Sequence, residues 1–232
     1  MSEETGSEMQ RGFRLPLAVG ATCIITSAAG MMDAWVYLDH GHVFANAQSG
    51  NVVLMGIELA ARHPDRALRH VPSLAAFIAG LLLSRLLGAA LKRRGVNSRT
   101  VRLTGECVLL VVLATIVGRL TDDVVTAWVG FIAAVQITSL SHIGKWSFNT
   151  GMTTGNLRSA VSALARALVE EQPRSDWLQA AAVGCICVAF AAGALLGGYL
   201  TPWWHGGTLY AIAALVLAGT LACITLADPM PA

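Results

Sequence analysis

Six apolar runs constrain this chain more than any other feature: residues 15–38, 71–91, 103–120, 124–142, 177–200 and 208–226. Each is near the roughly 20 residues that a helix needs to cross a ~30 Å hydrocarbon core. In water such runs would need a charged surface over them, and the charge is missing. Of the 232 residues, 13% are charged and 55% hydrophobic, about half the charged share of an ordinary soluble domain. An all-α, polytopic helical membrane protein is therefore expected. The first run follows Arg11 and Arg14 but exceeds the roughly 7–15 apolar residues of a signal-peptide core, so it reads as a retained helix. Residues 1–14 read as a cytoplasmic tail, frayed over the polar residues 1–10, and 227–232 as a short C-terminal tail.

Two polar, glycine-bearing stretches interrupt the pattern. The first is Phe44-Ala45-Asn46-Ala47-Gln48-Ser49-Gly50-Asn51, and the second is Thr150-Gly151-Met152-Thr153-Thr154-Gly155-Asn156. Hydroxyl, Gly and Asn recur in the same order, 105 positions apart. Backbone that leaves a helix inside a bilayer is tolerated only where protein or a water-filled cavity receives it. The two stretches are read as a paired polar centre. Each opens a shorter helical segment, 49–61 and 154–169, with Ser49 or Thr153 and Thr154 placed to cap its N-terminus.

The echo extends further. Ala76-Phe77-Ile78-Ala79-Gly80 returns as Ala189-Phe190-Ala191-Ala192-Gly193, and Val112-Leu113-Ala114 as Val216-Leu217-Ala218. Three matches in one order point to two internal repeats, 15–120 and 121–226. Lys and Arg placement then argues the topology, because cytoplasmic loops are enriched in them. With six spans plus two short or broken helices, eleven basic residues fall inside and four (Arg62, Arg66, Arg69, Arg119) outside, leaving Arg85 within a span. With eight spans, Arg11, Arg14 and Arg174 move outside. Charge favours six, which makes the repeats inverted, as in many secondary transporters. Eight would make them parallel, and that alternative stays open.

Gly30-Met31-Met32-Asp33-Ala34, Gly41-His42-Val43-Phe44-Ala45-Asn46 and Gln48-Ser49-Gly50-Asn51, with Gln136 and then residues 150–157 in the second half, resemble the paired motifs of the YoaK-like bacterial inner-membrane proteins. Ser49 stands where that family usually has Thr, which keeps the hydroxyl, while Asn149 and Gly151 depart from its second motif. The resemblance implies a multi-pass protein of about this size in a bacterial inner membrane. The family is grouped as a domain of unknown function, so no activity follows from it.

Asp33 lies deep in the first run, where a carboxylate costs several kcal/mol unless it is paired, protonated or facing water. It is a candidate cation or proton site; the plainer reading is an acid near its helix end reaching the interface. Asn46, Gln48, Ser49, Gly50, Asn51, Gln136, Asn149, Thr150, Thr153, Thr154, Gly155 and Asn156 complete the candidate substrate-binding set. Uncharged donors and acceptors beside helix N-termini suit an anion or a polar neutral solute. The competing reading is hydrogen bonding between the halves, as Ser, Thr and Asn provide between membrane helices. Glu58 and Arg158 are read as facing one cavity or simply reaching water. Glu106 and Arg85 are expected to snorkel, and Gly80, Gly88, Gly193, Gly197 and Gly198 to let helices approach.

Enzymatic constellations are missing: no His-Glu-x-x-His, no phosphate-binding Gly-rich loop, no Gly-x-Ser-x-Gly. Cys185-Ile186-Cys187 has no nearby His or Asp to complete a metal site. No enzyme activity, cofactor, metal or nucleic-acid partner is expected. The expected reading is a small secondary transporter or facilitator for a small polar or anionic solute, working in a lipid bilayer. A homodimer fits too, since half-size transporters commonly pair. The alternative is a non-transporting membrane scaffold or envelope sensor.

Overall fold

The computed structural model describes residues 2–143, 145–169 and 174–226, with side chains described from Leu15; the tail expected at 227–232 lies outside them. The order is α1 (Ser2–Asp39), α2 (Gln48–Ala60), α3 (Pro64–Leu68), α4 (His70–Arg93), α5 (Ser98–Ile116), α6 (Asp122–Ser139), α7 (Thr153–Val169), α8 (Arg174–Trp204) and α9 (Thr208–Leu226). The fold is all-α but for a two-residue antiparallel pair, β1 (His142–Ile143) with β2 (Trp146–Ser147). The stretch expected to fray is instead drawn into α1, which begins at Ser2. Glu3, Glu4, Glu8, Met9 and Arg11 are good helix formers set against Gly6 and Gly12, and no proline comes before Pro16.

Segments Leu15–Asp39, Pro64–Arg93, Ser98–Arg119 and Arg174–Thr225, the last holding α8 and α9, are long and apolar enough to cross a membrane. The 18-residue α6 opens with Asp122 and Asp123 and is largely buried. Contacts at the helix ends define two ends of the bundle. At one end, His40 Nδ1 lies 2.8 Å from Asp122 Oδ1, His205 Nδ1 lies 3.3 Å from Asp39 Oδ1, and Trp35 Nε1 donates to the His205 carbonyl at 3.0 Å. At the other, Arg99 Nη2 donates to Cys223 Sγ at 3.1 Å and Arg102 Nη1 to the Ser84 carbonyl at 3.3 Å. We call these the histidine end and the arginine end.

Small residues set the helix spacing. A Cβ at Gly30 would land on the Phe190 carbonyl, and one at Gly193 or Gly197 on the backbone of Ser27 or Met31, so α1 and α8 touch backbone to backbone. Gly80 and Gly130 do the same between α4 and α6, against Phe131 and Ser73. Three of the expected packing glycines are thus in place. The other two are not: Gly198 has open space around it, and Gly88 faces the Arg102 side chain rather than a helix.

The outer faces of the helices carry exposed Ile78, Leu82, Leu86, Val188, Leu195 and Leu221. In water such a belt would drive association; lipid solvates it. Inside, Trp35, Val36, Leu113, Val125 and Leu209 pack toward the histidine end. A second cluster of Ala21, Ile25, Leu103, Ile143, Phe148 and Cys223 packs toward the arginine end. Glu106 falls on the α5 face between Leu103 and Leu110 and is buried, with neither carboxyl oxygen hydrogen-bonded among the described residues. The snorkelling expected of it does not occur. Residues three and four apart share a helix face, and its face points into the core.

Candidate functional site

After Asp39 the chain reverses through Gly41 and His42, both with positive φ (76° and 60°). His42 bears a local strain that a glycine would not. The chain then dips into the bundle. There the Asn46 backbone N–H donates to Asp33 Oδ1 at 2.7 Å, and Asn46 Nδ2 reaches the Ala29 carbonyl at 3.2 Å and Asp33 Oδ1 at 3.3 Å. From this depth α2 starts and runs back to the histidine end. The second break mirrors it from below. α7 starts where the Thr153 carbonyl lies 3.9 Å from Cys187 Sγ, near the middle of α8. It runs out to the arginine end, where Arg166 meets Asp176 at 2.9 Å.

Each break is closed by one asparagine seven residues on. Asn51 Oδ1 accepts the Phe44 N–H and its Nδ2 donates to the Phe44 carbonyl, both at 2.8 Å. Asn156 Oδ1 accepts the Asn149 N–H at 2.8 Å and its Nδ2 donates to the Asn149 carbonyl at 2.6 Å. One side chain thereby replaces the helix as partner for both polar groups of a backbone unit. Both asparagines are buried.

Between the breaks lies a cavity of about 450 Å³, bordered by Asp33, Tyr37, Ser49, Met152, Thr153 and Thr154. The first turns of α2 and α7 thus reach it from opposite ends of the bundle. No side chain caps α2, whose preceding residue is Ala47. Ser49, expected as a cap, instead stands exposed on the cavity edge, because α2 begins one residue earlier, at Gln48. On the far wall, Gly198 of α8 lines the cavity. Pro202 has no N–H to bond the Gly198 carbonyl, so that acceptor is released four residues below.

The candidate residues therefore divide. Asp33, Ser49, Thr153 and Thr154 line the cavity, beside Gly151, which was not among the candidates. Asn51, Asn156 and Gln48 are committed to the breaks: Gln48 Nε2 donates to the Ala45 carbonyl at 2.8 Å and to Ser73 Oγ at 3.1 Å, while its Oε1 accepts Asn51 Nδ2 at 3.0 Å. Gly50 lets the Phe44 ring lie against α2, at 3.1 Å from a built Cβ. Asn46 sits between the breaks, its Oδ1 tight against Gly151 and without a partner among the described residues. Thr150 is buried, its hydroxyl unpartnered among the described residues, and Asn149 Oδ1 accepts the Gly151 N–H at 2.9 Å. Gly155 faces open space. Gln136 stands apart, donating from Nε2 to the Ile25 carbonyl at 3.1 Å. Glu58 and Arg158 are not brought together: Glu58 joins Arg66, Arg69 and His70 at the histidine end, and Arg158 is exposed.

Two partners of the first break escaped the sequence reading. Ser73 Oγ donates to the Phe44 carbonyl at 3.0 Å, and His70 Nδ1 lies 3.4 Å from Asn51 Oδ1. Both sit in the first turn of an apolar helix, where the small-polar content of α4 was the available signal.

Fold and site define a helical integral membrane protein with a cavity between two helix breaks, its wall mostly apolar and edged by Asp33, Ser49, Thr153 and Thr154. The chain belongs to the family described as protein of unknown function (DUF1275), whose profile matches residues 21–223. It is similar to the UPF0700 transmembrane protein YoaK of Bacillus subtilis (strain 168), 21% identical over 184 residues that cover 77% of this chain and 82% of that one. No solved structure matches it.

Proposed function

We propose that the protein is a small secondary transporter or facilitator, admitting a small polar or anionic solute to the cavity between the breaks. The observation that carries this reading is the convergence of the α2 and α7 N-termini on one cavity. Each N-terminus offers N–H groups with no helical acceptor and about half a positive charge. Ser49, Thr153 and Thr154 add hydroxyls, and the released Gly198 carbonyl an acceptor. Asp33, half of whose carboxyl is held by Asn46, is the group to carry a coupling proton or cation.

In this reading the six long helices are the spans and α2 and α7 are re-entrant. The arginine end, with Lys92, Arg93, Arg94, Arg99 and Arg102, faces the cytoplasm of a bacterium whose inner membrane holds the protein. Residues 15–120 and 121–226 are inverted repeats. Two features support the duplication: the matching asparagine clamps, and the reciprocal pairing of α1 with α8 and α4 with α6. No residue set calls for an enzymatic role or a cofactor. The alternative, a scaffold or sensor, draws on the fact that Asn51, Asn156 and Gln48 spend their hydrogen bonds on the fold.

Flux decides between them. In proteoliposomes, a panel of small anionic and polar neutral solutes should include at least one carried by the wild type. Its flux should fall tenfold or more in a Thr153→Val, Thr154→Val variant that folds normally. Equal permeability of protein-containing and empty vesicles to the whole panel would remove the transporter reading.

A further inference from the structure

A second cavity of about 470 Å³ opens toward the arginine end, between the C-terminal half of α4, the start of α5, the end of α6 and the second break. Its charged lining is Arg85, Lys92 and Arg102, and no carboxylate is among the lining residues. Positive-inside topology accounts for Lys92 in the last turn of α4. It does not account for Arg102, partly buried in the concavity, with the exposed Arg85 also lining it. Arg102 lies across α4 because Gly88 leaves room; a Cβ at Gly88 would come within 2.8 Å of Arg102 Nη1. One Arg102 nitrogen is held by the Ser84 carbonyl at 3.3 Å, while its Nε is buried with no partner among the described residues. That Nε is closed off from the cavity, so a ligand would meet the guanidinium at its outer nitrogens.

The remaining polar lining is also donor-rich. Asn149, also in the lining, has its Oδ1 taken by the Gly151 N–H, which leaves its amide nitrogen available as a donor. Thr138 spends its hydroxyl on the Ala134 and Val135 carbonyls and on Ser84. Three cations and an amide donor, with no acidic neighbour among the lining residues, match a ligand made of acceptors. Arginine forks suit planar or tetrahedral oxyanions in particular.

We infer that this cavity is an oxyanion-binding site, with Arg85 and Arg102 as the principal ligands and Lys92 as a third charge. A free phosphate-type anion and the phosphate of an anionic lipid headgroup present the same chemistry. The site stands independently of conduction through the central cavity, because its test reads binding and not flux.

The purified full-length protein in detergent is titrated by calorimetry with inorganic phosphate and with sulfate, against chloride at matched ionic strength. In parallel, nanodiscs with and without phosphatidylglycerol are examined by native mass spectrometry for retained lipid. Arg85→Gln and Arg102→Gln should each weaken the oxyanion about ten- to a hundredfold, the effect of one charge-assisted hydrogen bond. Gly88→Val should do the same by pushing Arg102 aside. Lys145→Gln, exposed and outside the cavity lining, should bind as the wild type does. Phosphate or sulfate binding lost in the arginine variants identifies a free anion. Phosphatidylglycerol retained by the wild type and lost in those variants identifies a headgroup. The site is overturned if a folded wild type shows neither, or if Lys145→Gln weakens binding as much as Arg102→Gln.

Discussion

The two helix breaks share a clamp yet differ in how firmly they are held. In the first, Asn51 is fully buried and bonded to Phe44, Gln48 and His70, while Ser73 and Asp33 supply further partners from two neighbouring helices. In the second, the Asn156 clamp and one Asn149–Gly151 bond account for the break, Thr150 keeps an idle hydroxyl, and Thr154 and Gly155 are exposed. One motif, used twice, has become an anchored break and a loosely tied one. In the transport reading the second break is the part that moves: it borders the central cavity through Gly151 and the arginine-end cavity through Asn149. Only Thr150 lies between those two residues.

Thermal unfolding of detergent-solubilised variants sharpens or breaks this contrast. Asn51→Leu should have the largest effect, about 3 kcal/mol or more, since it strands the buried Gln48 Oε1 as well as the half-buried Phe44 N–H. Asn156→Leu should cost less, about 1–2 kcal/mol, because it releases the Asn149 backbone alone and strands no buried side chain. Equal losses would end the distinction. Ser73→Ala, which leaves Asn51 on the Phe44 carbonyl, should cost about 1 kcal/mol and leave the second break untouched. The smallest change in stability, within about 0.5 kcal/mol, belongs to Ser49→Ala at the cavity edge. A large loss there would mean that Ser49 holds the fold.

How much of this was legible beforehand follows from what periodicity can and cannot encode. Long apolar runs and their interruptions at 44–51 and 150–156 are one-dimensional signals, and they located the helices and the breaks. Gly80, Gly193 and Gly197 were readable as close-packing positions because small residues in apolar helices have few other uses. The roles within the breaks were not readable. Asn51 and Ser49 are two residues apart in sequence, yet one is wholly enclosed and the other lines the cavity. That division depends on which way a non-helical turn faces. Ser73 and His70 could not be tied to Asn51 without the α2–α4 packing. Glu106 was misjudged because its distance from the helix end was weighed above the face it shares with Leu103 and Leu110. The arginine-end cavity draws on four segments, so no single stretch announces it.

The account rests on the space between the breaks being wet. Single cysteines at Ser49, Thr153 and Asn51, in a chain freed of its five native cysteines, can be challenged with a membrane-impermeant thiol reagent added to either side. The account predicts that Ser49→Cys and Thr153→Cys react from the histidine-end side and are shielded by a permeating solute, while Asn51→Cys stays protected. Unreactive cysteines at both Ser49 and Thr153, in protein that folds and inserts normally, would contradict it and leave the two breaks as packing alone.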